Sequence, residues 1–167
     1  MKIYLSASQQ PKNLYADGMF TEQEVMHSLI RQATPYLMIF GHEVKISPIQ
    51  TMRDNINEAN TWGADIYVSL HTNASGTGKN DGTLALYTSE AGKALAQSIY
   101  DELSPITPSS DEGLRKELGL SELKDTKMPS TIIEVAYHDN KKDAKFILLN
   151  LDKIAIAIAK GIIRYKP

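Results

Sequence analysis

Short apolar runs with β character alternate along this chain with longer spans in which apolar residues recur every three or four positions. A period near two fits a strand and one near 3.6 fits a helix, so repeated switching between them is the signature of an α/β domain. Ile3-Tyr4-Leu5 reads as a first strand, and a polar loop over residues 6 to 20 follows it. Thr21 stands as a helix cap before Glu22 and Glu24, and the helix beginning at Glu22 buries Val25, Met26, Leu29, Ile30, Ala33 and Leu37. Pro35 predicts a kink within it, and Gly41 ends it. Glu43 to Ile46 is a second strand, Met52 to Trp62 a helix closed by Gly63, and Asp65 to Leu70 a strand running up to His71. Ser75 to Gly82 reads as a mobile loop, Thr83 to Tyr87 as a strand and Lys93 to Leu103 as a helix. Residues 104 to 117, with two Pro, three Ser and several charges, read as a surface excursion. Thr131 to Ala136 is a buried strand, and Ile154, Ile158 and Ile162 among Ala and Gly predict a closely packed last helix. The fold expected is one domain over 1–167, with a mixed, mostly parallel sheet of about six strands covered by helices on both faces.

At 167 residues such a domain buries roughly 68–70% of its unfolded surface and needs no covalent staple. The absence of Cys excludes disulfides, thiolate metal sites and a cysteine nucleophile, leaving His, carboxylate and amide groups as the ligands for any cation. A formal charge of −2 with dispersed Lys and Arg argues against nucleic acid as a partner. No stretch of about 20 apolar residues argues for membrane insertion, and the N-terminus lacks a signal peptide's apolar core, so synthesis in the cytoplasm is expected.

Three residues stand out chemically. His71 lies at the C-terminal end of a strand, where α/β folds place their sites; a metal ligand and a structurally satisfied imidazole both fit. Glu134 interrupts the apolar run Ile132-Ile133-Glu134-Val135-Ala136, which fits either a base or acid with a raised pKa or a partnered structural carboxylate. Glu22 falls in a helix's first turn, where support of the helix dipole is the plainer explanation. His27, His42 and His138 read as structural or solvated.

Together these segments resemble the zinc-dependent N-acetylmuramoyl-L-alanine amidases of bacterial autolysins and phage endolysins. The resemblance rests on strand 1 with its loop, Thr21-Glu22, Ser69-Leu70-His71-Thr72-Asn73-Ala74 and Ile133-Glu134-Val135-Ala136-Tyr137-His138-Asp139-Asn140. Ala59-Asn60, Gly63-Ala64-Asp65 and Lys127-Met128-Pro129 also sit where the family has similar residues. The resemblance implies Zn2+ as cofactor, Glu22 and His71 as metal ligands and Glu134 as the catalytic carboxylate. It implies peptidoglycan as the partner and hydrolysis of its amide between N-acetylmuramic acid and L-alanine.

One departure is plain: the family's first ligand His, after strand 1, is missing from Ser6-Ala7-Ser8-Gln9-Gln10-Pro11-Lys12-Asn13. A subgroup of the family looks similar there, with Gln10 matching its Gln, so the Gln10 amide oxygen is the expected substitute. Asn13 and Gln9 are its rivals. An amide oxygen is a weaker zinc donor than imidazole and implies lower metal affinity. Alternatives of other classes are an amidase-fold wall-binding module with weak or no catalysis, and a metal-dependent peptidase or deacetylase. A phage-endolysin catalytic domain, released from the cytoplasm to the wall and followed past Pro167 by a wall-binding module, is the expected setting.

Overall fold

A computed structural model describes residues 1–108 and 111–167. The strands are β1 (Lys2–Ala7), β2 (Glu43–Ile46), β3 (Ile66–Asn73), β4 (Thr83–Tyr87), β5 (Asp111–Lys116) and β6 (Ser130–Tyr137). They form one six-stranded sheet in the order β2-β1-β3-β6-β4-β5. Every neighbouring pair is parallel except β4 with β6, so the expected mixed, mostly parallel sheet is the one observed. The helices are α1 (Glu22–Ile39), α2 (Met52–Trp62), α3 (Glu90–Leu103), α4 (Ser121–Lys124), α5 (Lys141–Leu149) and α6 (Leu151–Arg164). Among the described residues no helix is long and apolar enough to cross a membrane.

Strand alternation assigns the two faces. Ile3, Leu5, Ile66, Val68, Leu70, Ala85, Ile133 and Val135 point to one side and pack with Met26 and Leu29 of α1, Leu95 and Ile99 of α3, and Ile154, Ile158 and Ile162 of α6. The residues between them point to the other side. There Tyr4 and Tyr67 stack, with ring centroids 5.5 Å apart, beside Ala59 of α2, and Leu84, Leu86 and Ile132 meet Leu123 of α4. The small face of α6 has a steric cause: a Cβ on Gly161 would lie 2.4 Å from the Ile99 Cα of α3. Tyr165, beyond the end of α6, still packs into the main core.

Several elements differ from expectation. Residues 111–116, expected within a surface excursion, form β5, the strand at the sheet's edge; Ser109 and Ser110 of that excursion lie outside the described residues. An edge strand bonds on one side only and tolerates charge, so Asp-Glu-Gly-Leu-Arg-Lys carries no apolar alternation to read. Helix α5, capped by the Asn140 side chain, follows β6 where no helix was expected. Helix α3 starts at Glu90 under a Ser89 cap rather than at Lys93. Strand β3 runs through His71 to Asn73, with a register shift against β6 between those two residues, so His71 sits inside the strand beside an irregularity of the kind common near active sites. The helix α1 continues through Pro35 as one element.

Candidate active site

Period two places Tyr67, Ser69 and His71 of β3 on the thinly covered face, and register pairs His71 with Glu134 of β6. Two residues far apart in sequence are thereby neighbours on one surface. Glu22 reaches them from the start of α1. Its neighbour Glu24 completes the capping box with Thr21, so the helix start is satisfied without Glu22. The Glu22 side chain is fully buried instead, with Oε1 3.1 Å from His71 Nδ1 and accepting the Thr72 backbone N–H at 3.1 Å. Its Oε2 accepts Asn13 Nδ2 at 2.8 Å.

The other ring nitrogen of His71 faces a residue that no sequence signal marked. Glu122 of α4 lies with Oε2 3.2 Å from His71 Nε2, while its Oε1 accepts Tyr67 Oη at 2.9 Å and Ser69 Oγ at 2.7 Å. Glu122 sits in a polar stretch, Ser121-Glu122-Leu123-Lys124-Asp125, where a glutamate looks like any solvated surface charge. Only Leu123, anchored among Leu84, Leu86 and Ile132, hints that this short helix is held against the sheet.

The electrostatics follow from these contacts. Burial alone raises the Glu22 and Glu122 carboxyls, but their bonds to His71 and its charge, with Asn13 and Thr72 N–H at Glu22 and Ser69 and Tyr67 at Glu122, hold both below the usual range. Burial lowers the His71 imidazole, and the bonds to Glu122 and Glu22, together with the charges of Glu122 and Glu134, outweigh it and raise it well above its ordinary value. Glu134 is the exception. Its carboxyl is pushed up to about 7, chiefly by burial, against the lowering effect of His71 and with help from the charges of Glu22, Glu122 and Glu112. Its Oε2 is enclosed and has no hydrogen-bond partner.

An open cleft of about 580 Å³ adjoins the cluster. Gln9, Gln10 and Pro11 line one side, Ile49 and Met52 another, and His71 and Glu122 stand in its wall. Gln10 is exposed, and its Oε1 accepts Asn13 Nδ2 at 2.6 Å; Asn13 therefore links Gln10 to Glu22. The Gln9 amide is engaged elsewhere, with Nε2 donating to the Ala7 carbonyl at 2.9 Å and lying 3.5 Å from His27 Nε2. His138 is buried against Thr72, its Nδ1 3.0 Å from Oγ1, and His42 lies 3.4 Å from the N-terminal amine. Both are outside the cluster. Among the described residues no three His, Cys, Asp or Glu side chains converge on one cation position, because Glu22 and Glu122 stand at opposite nitrogens of one ring.

Known proteins resemble this chain in sequence and in fold. The family model for N-acetylmuramoyl-L-alanine amidase matches residues 9–164. This chain belongs to that family. The N-acetylmuramoyl-L-alanine amidase LytC of Bacillus subtilis is 31% identical over 121 residues, 69% of this chain and 24% of LytC. The endolysin of Bacillus phage SPP1 is 32% identical over 115 residues, covering 65% of this chain and 41% of the endolysin. The chain thus spans well under half the length of either relative. The solved catalytic domain of the amidase CwlV from Bacillus (Paenibacillus) polymyxa var. colistinus superposes with a TM-score of 0.90 at 23% identity, over 99% of this chain and 98% of that one, and shares the fold.

Proposed function

We propose that this domain hydrolyses the peptidoglycan amide between N-acetylmuramic acid and L-alanine, with Glu134 carrying the proton and a divalent cation, zinc, bound at His71 and Glu22. The observation that carries this reading is the Glu134 carboxylate. The residue is half-buried, its Oε2 is enclosed and unpartnered, its carboxyl is raised to about 7, and it is paired in register with His71. Structural carboxylates in apolar strands are partnered, because an unpartnered one costs several kcal/mol. A carboxylate left in this state beside an imidazole matches the needs of a general base and acid near neutral pH.

Two of the donors present are spaced as a shared zinc ion would require. His71 Nδ1 and Glu22 Oε1 are 3.1 Å apart, close to the ~3.3 Å that separates two ligands of a tetrahedral zinc with bonds of about 2.0–2.1 Å. A third donor would be the amide oxygen of Asn13, whose NH2 donates to Glu22 Oε2, or that of Gln10, which accepts the same NH2. A cation bound there supplies a Lewis acid that polarises the scissile carbonyl and makes water more acidic. Glu134 then takes the proton of the attacking water and returns it to the departing alanine nitrogen, a cycle its raised pKa permits in both directions. The Gln9 to Pro11 segment and Ile49 and Met52 hold the substrate in the cleft beside His71. Membership of the amidase family and the likeness to LytC and a phage endolysin support this choice of bond.

The test is product analysis on purified peptidoglycan. Release of free stem peptides with new L-alanine N-termini, equal in number to the bonds cut, is the expected outcome. New reducing sugar ends or internally cut peptides would reject the assigned bond. Wall binding without any release would identify a binding module instead.

A further inference from the structure

Glu122 has no part in the proton transfer above, yet three side chains on one face of β3 end on its carboxylate. Tyr67 Oη and Ser69 Oγ both donate to Oε1, and His71 Nε2 lies 3.2 Å from Oε2. The helix that carries Glu122 is only four residues long and is braced at several points. Thr126 Oγ1 donates to the Glu122 carbonyl at 2.9 Å, Ser130 Oγ to the Leu123 carbonyl at 3.1 Å, and Asn60 Nδ2 of α2 to the Asp125 carbonyl at 2.9 Å. Asn60 Oδ1 also accepts the Lys127 N–H at 2.9 Å, so the turn after α4 is tied to α2 from both sides. Such bracing around one buried side chain is more than a four-residue surface helix requires.

We propose that Glu122 is the positioning residue for His71: it accepts the Nε2–H and so fixes the ring with Nδ1 aimed at Glu22, where a cation takes the place of the Nδ1 proton. The inference rests on the reading of His71 as a cation ligand. A liganding imidazole commonly donates its other ring N–H to a carboxylate, which sets the tautomer and ring plane and makes the liganding nitrogen more basic. With Oε1 held by two hydroxyls, the Glu122 carboxylate cannot rotate away, and Oε2 stays aimed at the ring. The arrangement gives an imidazole-poor site a better-prepared donor from the one imidazole it has. Glu122→Gln tests this closely, because its amide keeps the shape while its oxygen satisfies Tyr67 and Ser69 and its NH2 faces Nε2. The ring must then present a lone pair at Nε2 and place its proton on Nδ1.

The experiment uses the whole chain labelled with 15N at histidine, in chelator and after titration with zinc. Wild type is expected to show a His71 Nε2–H protected from exchange, and Glu122→Gln to lose that signal while binding zinc ten- to a hundredfold more weakly with its circular dichroism unchanged. An unchanged ring signal with unchanged zinc affinity overturns the proposal. Total loss of zinc binding with the ring signal intact also overturns it, since Glu122 would then be a ligand. If Glu122→Gln does not fold, Ser69→Ala decides: faster exchange of the ring proton and severalfold weaker zinc support the role, and no change in either removes it. Wild-type protein that shows the protected ring N–H but takes up no zinc would reject the cation in the proposed function, and with it the positioning role, leaving only the hydrogen bond between Glu122 and His71.

Discussion

The two faces of the sheet are made from alternate residues of the same strands, yet they are built on opposite principles. On the α1, α3 and α6 side, Leu5, Val68, Leu70, Ile133 and Val135 meet an almost wholly apolar helical layer. Each fully buried side chain of that kind contributes about 1.5–3 kcal/mol by leaving water. On the other side, among the described residues, α2 and the four-residue α4 provide the helical cover, and positions 67, 69, 71 and 134 of the same strands carry hydroxyl, imidazole and carboxylate groups. Desolvating such groups costs free energy, and the bonds among Glu22, His71 and Glu122 offset that cost one partner at a time. Within that cluster the Glu134 Oε2 lacks such compensation. The contrast teaches that one face supplies stability and the other spends part of it on chemistry.

Substitutions on the two faces therefore separate stability from activity. His71→Ala should have the largest effect, removing zinc binding and wall hydrolysis together while leaving the apolar face intact; zinc uptake by calorimetry checks it, and retained tight binding would move the cation elsewhere. On the apolar side, Ile158→Ala should cost about 2–5 kcal/mol of stability by opening a cavity, with kcat per folded molecule unchanged. Denaturant melts beside initial rates measure both, and a lower kcat at full folding would show that the faces are not separable.

Glu134 makes the comparison pH-dependent. Its pKa is about 7 in the folded protein against an ordinary 4.5, so folding favours its protonated form. Stability from this group is fully present below pH 4.5 and is lost as pH rises through about 7. Glu134→Gln should consequently stabilise the chelated protein at pH 8 by about 3 kcal/mol and make no difference below pH 4.5. Urea melts at both pH values read the difference directly. The smallest effect expected is at the loop after β1. Asn13→Ala, which removes the amide touching Glu22, and Gln10→Ala should each weaken zinc severalfold, and the larger loss identifies the amide donor. Equal affinity across both variants and wild type would strike both residues from the site.

The two faces also differ in how well the sequence announced them. Period and capping residues announce the apolar side, because Val25, Leu29 and Ile30 in α1 and Ile154, Ile158 and Ile162 in α6 repeat at helical spacing. The polar side was legible only where a charge broke an apolar run, as Glu134 does, or ended one, as His71 does. Glu122 left no such mark, since its partners Tyr67, Ser69 and His71 lie more than fifty residues upstream and the pairing exists only after β3 and α4 meet. Edge strand β5 was hidden for a related reason, being defined by backbone pairing with β4 rather than by its own side chains. Glu22 shows the opposite case, in which a good local explanation, support of the helix dipole, stood beside a distant one that only the resemblance suggested, for Glu24 serves the cap and Glu22 bonds His71.

The central claim, that Glu134 carries the proton in a site built on the polar face, is tested most directly by the turnover of Glu134→Gln on purified peptidoglycan, with zinc content and thermal melt recorded on the same sample. The account predicts a loss of about 10²-fold or more in kcat in a protein that folds at least as well as wild type and still takes up zinc. A variant that releases stem peptides at the wild-type rate would contradict it.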